Sequence, residues 1–203
     1  MPAPSILKIS RLAPAVFLLA TCSREPKGPS VRYVIDGDTV VLDSGVHVRL
    51  IGIDTPEKDR PYYSEAKEFN RKLVEGKPAR LDYDIEKTDR YGRTLAYLYL
   101  EDGTFVNAEM IRSGYANLYT FPPNLKHTEE FLALQREARQ AGRGLWSLKT
   151  SLSSFYLSSA RGHTFHRPEC KFAKKIGKRN RVHLAGRDKA LDRGLAPCRN
   201  CRP

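Results

Sequence analysis

The sequence lacks internal repeats and low-complexity tracts, which argues against a fibrous or disordered protein. An apolar stretch from Leu12 to Ala20 is too short to span a bilayer, because a transmembrane helix needs about 20 apolar residues. Of the 203 residues, 40% are apolar and 29% are charged, as in globular proteins. The chain is therefore long enough for one hydrophobic core and a small appendage.

Acidic residues are scarce at the carboxyl end. From Ser151 onward there are 13 Lys and Arg against 3 Asp and Glu, a net charge of +10, whereas the first 150 residues hold 22 against 20. Excess positive charge attracts polyanions whatever the fold. The sequence therefore predicts an anionic partner, nucleic acid or anionic lipid, and assigns most of the attraction to the tail.

Cysteine is also scarce, with four in the chain, and three of them lie in the tail. His166-x-x-x-Cys170 and, after a gap of 27 residues, Cys198-x-x-Cys201 supply four ligands in two short pairs, as a tetrahedral structural zinc requires. A disulfide is the alternative in an exported protein. If Cys22 is acylated, three thiols remain and one would stay unpaired, whereas zinc with His166 uses all three.

The amino terminus has the features of an export signal. Lys8 and Arg11 precede the apolar stretch. Leu19-Ala20-Thr21-Cys22 resembles the lipobox of bacterial lipoproteins, although Thr precedes the Cys where Gly, Ala or Ser is usual. We therefore expect either a cell-envelope lipoprotein lipidated at Cys22 or a secreted protein. Residues 1–22 are interpreted as signal peptide and lipobox, and 23–30 as a linker.

The remaining pattern predicts an α+β fold. β-branched and apolar residues between turn signals predict five strands, at 31–35, 39–42, 46–53, 79–83 and 95–100. Apolar residues three and four apart predict three helices, around 62–73, 106–113 and 131–141. A small closed barrel with helices over one end fits both patterns. We expect this domain at 31–148, a serine-rich linker at 149–160 and a basic zinc-binding module at 161–203.

Three acidic residues, Asp38, Asp54 and Glu57, follow predicted strand ends. On one rim they would repel each other by roughly 4 kcal/mol per pair at about 4 Å separation and an effective dielectric of 20. A hard cation such as calcium would remove that cost. Each Asp could instead simply fix a turn. Two arginines nearby in sequence, Arg49 and Arg93, offer the planar fork that binds phosphate.

Several of these stretches resemble the staphylococcal-nuclease family in order and spacing. They are VIDGDTV, VRLIGIDTPE, KTDRYGRTLAYLY, GTFVNAEMIRSGYA and EARQAGRGLWS. The resemblance implies a five-stranded OB-fold β-barrel with three helices. It also implies calcium-dependent hydrolysis of phosphodiester bonds in DNA and RNA, leaving 3′-phosphates.

By position, the resemblance also implies individual roles. Calcium would be held by Asp38, Asp54 and the backbone carbonyl of Thr55. Glu57 would be the general base, while Arg49 and Arg93 would bind the phosphate and stabilise the transition state. Substrate contacts would come from four more residues, of which Arg90 replaces a family Lys and Phe121 a family Tyr: Arg90, Tyr91, Tyr119 and Phe121.

The tail resembles a second family. FHRPECKFA and LAPCRNCRP are similar to the four-Cys zinc module of Ada-type DNA alkylation-repair proteins. His166 stands where that family has its methyl-accepting Cys, which argues against methyl transfer because imidazole lacks the thiolate nucleophile.

The sequence favours a monomeric nuclease acting on DNA and RNA, with calcium at the catalytic site and structural zinc in the tail. Membrane contact is expected only through Cys22. The alternatives are a catalytically inactive nucleic-acid-binding module and a zinc-dependent repair or surface-adhesion protein that uses the barrel as scaffold.

Overall fold

The computed structural model describes residues 28–150 and 152–203. Cys22, the expected export signal and most of the 23–30 linker lie outside the described residues. In the part of the chain that is described, no helix combines the length and apolarity needed to cross a membrane.

The first seven strands form two sheets among the described residues. They are β1 (Val31–Asp36), β2 (Thr39–Leu42), β3 (His47–Leu50), β4 (Gly52–Asp54), β5 (Ala79–Asp82), β6 (Thr94–Leu100) and β7 (Asn117–Tyr119). The main sheet has the order β1-β2-β3-β6-β5, and β4 pairs antiparallel with β7. The two edge strands approach each other at one end, where Ala79 N donates to Pro29 O at 2.9 Å. The described residues form no closed barrel, which corrects that part of the prediction.

The expected single strand 46–53 is instead divided into β3 and β4. Gly52 has φ +80°, and a Cβ atom there would lie 2.6 Å from Cε2 of Phe131. Only glycine fits this close approach in the left-handed region. The turn is also held by Asn107, whose Nδ2 donates to Ile51 O at 2.9 Å. The chain therefore leaves the main sheet here, and Asp54 lies in β4 opposite Asn117 of β7.

Three helices accompany these strands in the described chain up to residue 148, as predicted: α1 (Tyr63–Val74), α2 (Val106–Arg112) and α3 (Thr128–Gln140). Their buried faces include Ala66, Met110 and Phe131, all in one core with the sheet. Asn70 of α1 donates through Nδ2 to Gly37 O at 3.0 Å. The helix thereby fixes the turn that carries Asp38.

The tail has its own sheet and core. Its elements are β8 (Tyr156–Ser159), β9 (Thr164–His166), α4 (Lys171–Lys174), β10 (Arg181–Leu184), α5 (Arg187–Asp192) and β11 (Ala196–Pro197). The predicted linker 149–160 thus overlaps strand β8. Tyr156 in that strand is fully buried against Phe165 and Leu191, and Ser158 Oγ donates to Thr164 O at 2.9 Å. Serine enters this strand because its hydroxyl has a backbone partner.

The tail packs against the nuclease-like part. Arg139 of α3 contacts Asp192 of α5 at 2.7 Å, and the Arg187 guanidinium lies 5.3 Å from the Trp146 ring centroid. Strand β11 also contacts β7. This docking brings the Cys198 to Cys201 segment next to Asp54, where Arg199 Nε donates to Asp54 Oδ2 at 3.2 Å.

Candidate active site and metal centre

Asp38 and Asp54 are carboxylates that are almost buried, at 6% and 7% exposure. Asp38 Oδ2 accepts hydrogen bonds from Thr55 N at 3.0 Å and Thr55 Oγ1 at 3.1 Å. Burial raises the pKa of Asp54 above its usual value, although Arg199 opposes the shift. The two predicted strand ends therefore meet, because Thr55, the residue after Asp54, donates to Asp38.

Arg49 lies between these carboxylates. Its Nη2 is 3.1 Å from Asp38 Oδ2 and 3.8 Å from Asp54 Oδ1. Nη2 also donates to Ile53 O at 2.9 Å, and Nη1 donates to Leu50 O. The side chain is only 13% exposed. The guanidinium is therefore fixed by backbone as well as by charge.

Glu57 and Asp54 share a partner that the sequence did not indicate. Arg199 donates to both oxygens of Asp54, with Nε at 3.2 Å from Oδ2, and to Oε1 of Glu57. Glu57 itself is more than half exposed. The tail therefore reaches directly into the acidic cluster.

Arg93 approaches the cleft from the loop before β6. Its Nε donates to Asp89 Oδ2 at 2.7 Å, and its backbone N donates to Asp89 Oδ1 at 3.0 Å. Burial opposes ionisation of Asp89, but these bonds outweigh it and hold the pKa of Asp89 below its usual value. Arg90 contacts Tyr91, with Nη2 donating to the hydroxyl at 2.7 Å.

A cleft of about 710 Å³ is lined by most of the predicted catalytic and substrate-binding residues. Its walls include Asp38, Arg49, Thr55, Glu57, Arg90, Tyr91, Arg93, Tyr119 and Phe121. Tyr91 and Phe121 are 69% and 60% exposed, and the guanidinium groups of Arg90 and Arg93 lie 4.8 Å and 5.6 Å from the Tyr91 ring centroid. Phe121 also lies 5.4 Å from His163 of the tail, measured between ring centroids.

The cleft also contains residues that sequence reasoning missed as site residues, notably Asp36, Asp89 and Arg199. Asp36 was read as part of a turn, and its Oδ1 does accept from Asp38 N at 3.1 Å. Burial, together with the charge of Asp38, raises the pKa of Asp36. The sequence signal for Asp36 and Asp89 was their place inside the quoted motifs. Arg199 had no such signal.

The second cluster is formed by His166, Cys170, Cys198 and Cys201. Their potential ligand atoms all lie within 4.8 Å of one another. Tetrahedral zinc with bonds of about 2.3 Å to sulfur needs sulfurs about 3.8 Å apart, so a small contraction would complete the site. The three cysteines are free thiols, so the predicted ligands meet without a disulfide.

The surroundings of the cluster favour thiolate ligands at some positions. Burial opposes the Cys170 thiolate, but the backbone amides of Phe172 and Ala173 outweigh it and lower the pKa of Cys170. Burial raises the pKa of Cys201 to about 12, despite the Arg167 amide, which donates to Cys201 Sγ at 3.3 Å. A bound cation would reverse that penalty, since a metal deprotonates a coordinating thiol.

Comparison with known proteins agrees with this geometry. Residues 47–148 match the family described as staphylococcal nuclease homologue. The chain is 38% identical over 135 residues to a thermonuclease of Staphylococcus intermedius, covering 61% of this chain and 80% of that protein. An uncharacterized endonuclease of Escherichia coli O157:H7 is 43% identical over 118 residues, covering 56% of this chain and 73% of its own length.

The chain belongs to the staphylococcal-nuclease family. The family match ends at residue 148, so the tail lies beyond it. The resemblance of the tail to the Ada-type zinc module stays a prediction.

Proposed function

We propose that this protein is a calcium-dependent endonuclease that hydrolyses phosphodiester bonds in DNA and RNA and leaves 3′-phosphates. Its relatives include a thermonuclease and an endonuclease, which supports the reaction class. The observation that carries the proposal is that Asp38, Glu57, Arg49 and Arg93 line one cleft, while Asp54 contacts Arg49 at 3.8 Å.

The donor set suits calcium. Asp38, Asp54 and the backbone carbonyl of Thr55 would hold the ion, since calcium takes carboxylate and carbonyl oxygens in loose geometry. The contact of Asp54 with the Arg199 guanidinium supports the view that this rim attracts cations. When bound, calcium would stabilise negative charge on the phosphate.

The protein groups have distinct tasks in this proposal. Glu57 accepts the proton of the attacking water, as an exposed carboxylate beside the cleft can do. Arg49 and Arg93 donate to phosphate oxygens on which charge builds. Because Arg49 is fixed by two carbonyls and Arg93 by Asp89, little reorganisation is needed during reaction.

The remaining wall would bind the rest of the substrate. Arg90 and Tyr91 would hold a terminal phosphate, while Tyr119 and Phe121 would stack on bases. Stacking is sequence-tolerant because every base has a π-face. This agrees with a nuclease that acts on both DNA and RNA.

The test is release of acid-soluble nucleotides by the full-length protein with calcium, or with magnesium and a calcium-selective chelator. We expect cleavage only with calcium. Glu57→Gln should lower turnover by about 10² to 10⁴-fold with little change in DNA binding. Glu65→Gln, at an exposed position on α1, is the control. DNA binding without cleavage by the wild-type protein would support an inactive binding module instead.

For the tail we propose a structural zinc held by His166, Cys170, Cys198 and Cys201. The support is the convergence of these ligand atoms and the free state of the thiols. Elemental analysis should find one zinc per chain. Absence of zinc together with paired thiols would replace the metal site by a disulfide.

We further propose that the tail charge strengthens binding to polyanions. Four exposed basic residues in and after α4 can be changed together to alanine: Lys174, Lys175, Lys178 and Arg179. This variant should bind long duplex DNA more weakly. The logarithm of its binding constant should also fall less steeply with the logarithm of the salt concentration, by about 0.9 in slope for each lost phosphate contact. Turnover at saturating DNA should stay constant. Unchanged affinity and salt slope would show that these four residues do not contribute to DNA binding.

Export remains a proposal that rests on the sequence. The protein would be a monomer, either secreted or attached to the cell envelope through lipid on Cys22. Incorporation of labelled fatty acid into wild type but not Cys22→Ser would support the lipoprotein. A mature protein in the medium without lipid would support secretion.

A further inference from the structure

Among the residues that the structure describes, Arg199 is the one tail residue with hydrogen bonds to the acidic cluster of Asp38, Asp54 and Glu57. Its guanidinium donates to both oxygens of Asp54 and to one oxygen of Glu57. It therefore engages at once a carboxylate assigned above to calcium and the carboxylate assigned to proton transfer. The Arg199 side chain is 56% exposed, so the guanidinium could leave without unfolding the tail.

The position of Arg199 is set by the fold of the tail. It follows Cys198, whose N donates to Phe165 O at 3.0 Å and whose O accepts from Arg202 N at 2.9 Å. The Arg167 amide donates to Cys201 at the other end of the segment. The Arg139–Asp192 contact anchors the tail to α3. Two independent sets of contacts thus hold this arginine opposite Asp54.

We propose that Arg199 is an intramolecular competitor of calcium: its guanidinium occupies Asp54 and Glu57 until the ion displaces it. The inference rests on the proposed calcium site. Both Asp54 oxygens are engaged by one guanidinium, so a cation that coordinates this carboxylate must first separate the pair. Arg199 then sets the calcium concentration at which the nuclease becomes active.

The loss of calcium affinity depends on the fraction of molecules in which the Arg199–Asp54 ion pair is closed, that is, formed. Only molecules in which the pair is open can bind calcium through Asp54, so the apparent dissociation constant is the intrinsic one divided by the open fraction. A pair that is closed in about nine molecules of ten weakens calcium binding about tenfold. Release of Arg199 leaves the reaction machinery intact, so turnover at saturating calcium does not depend on it.

The experiment is calcium titration by calorimetry on full-length, zinc-loaded protein without nucleic acid, for wild type, Arg199→Ala and Arg193→Ala. Arg193 is an exposed arginine of the same tail and controls for the lost charge. We expect the dissociation constant to fall about tenfold in Arg199→Ala and to stay unchanged in Arg193→Ala. Urea unfolding of each protein checks that the fold is retained, and Arg199→Lys, which cannot form the bidentate pair, should bind calcium with intermediate strength.

The outcomes separate this inference from the proposed function. Equal calcium affinity in wild type and Arg199→Ala would overturn the role of Arg199 and leave the calcium site standing. Calcium binding in neither protein, or unchanged binding in Asp54→Asn, would overturn the calcium site itself. Lower turnover of Arg199→Ala at saturating calcium would also overturn competition, because Arg199 would then serve the substrate.

Discussion

Arg49→Ala should damage the fold as well as the reaction. The native guanidinium is 13% exposed and contacts Asp38 together with the carbonyls of Leu50 and Ile53. Removing one partner of a buried ion pair typically costs about 3–5 kcal/mol, because the other charge stays buried and unpaired. Arg93→Ala removes the more exposed ion pair with Asp89, and such pairs typically contribute about 0.2–1 kcal/mol to stability. Both variants should lose turnover.

Urea unfolding in the presence of a calcium chelator separates the two cases. The free energy of unfolding falls by about 2 kcal/mol per molar urea. The unfolding midpoint of Arg49→Ala should therefore lie at roughly 2 M lower urea, and that of Arg93→Ala within about 0.5 M of wild type. Adding Asp38→Asn to Arg49→Ala should recover part of the loss, because it removes the unpaired charge. If Arg49→Ala and Arg93→Ala unfolded at the same urea concentration, the structural role assigned to Arg49 would be refuted.

Three further changes test other parts of the structure. Asp84→Ala should destabilise the protein at neutral pH but not in acid. Burial opposes ionisation of Asp84, but hydrogen bonds outweigh it and hold its pKa below 3.8. The stabilisation by Asp84 is therefore present above pH 3.8 and is lost as the pH falls through the lowered pKa, which unfolding curves at several pH values would reveal. Replacing Cys198 and Cys201 together by serine should abolish zinc binding, measured by elemental analysis, while wild-type-like helix content would locate the damage in the tail. Gly52→Ala should cost about 1–2 kcal/mol for its left-handed backbone and about 1–3 kcal/mol for the clash with Phe131, and a thermal midpoint equal to wild type would contradict this.

The sequence predicted the helices of the nuclease-like part well because their signal is periodic and local. Ala66 and Phe131 each belong to a series of apolar residues at helical spacing, and both are buried in the observed core. The strand interruption at Gly52 was missed because Val46 to Ile53 looks continuous in residue type. The break depends on the Phe131 ring, which lies far along the chain and cannot be read from the strand itself.

Strand β8 was missed for a related reason. Serine-rich composition is typical of connectors, and the burial of Tyr156 depends on Phe165 and Leu191, which fold over it from later in the chain. The ligand cluster was easier to predict, since His166-x-x-x-Cys170 and Cys198-x-x-Cys201 are two local patterns. Zinc chemistry supplies the reason to join them even when their separation in sequence is long.

Arg199 marks the limit of this kind of reasoning. It is 142 residues from Glu57 and 145 from Asp54, and no short motif relates them. In sequence it is one basic residue among 13 in a tail that as a whole favours polyanions. Only docking of the tail on α3 and β7 turns that general charge into a specific contact. If the proposed calcium site holds, the same arginine would attract nucleic acid at long range and oppose the metal at short range, and calcium bound at Asp54 would decide which effect dominates.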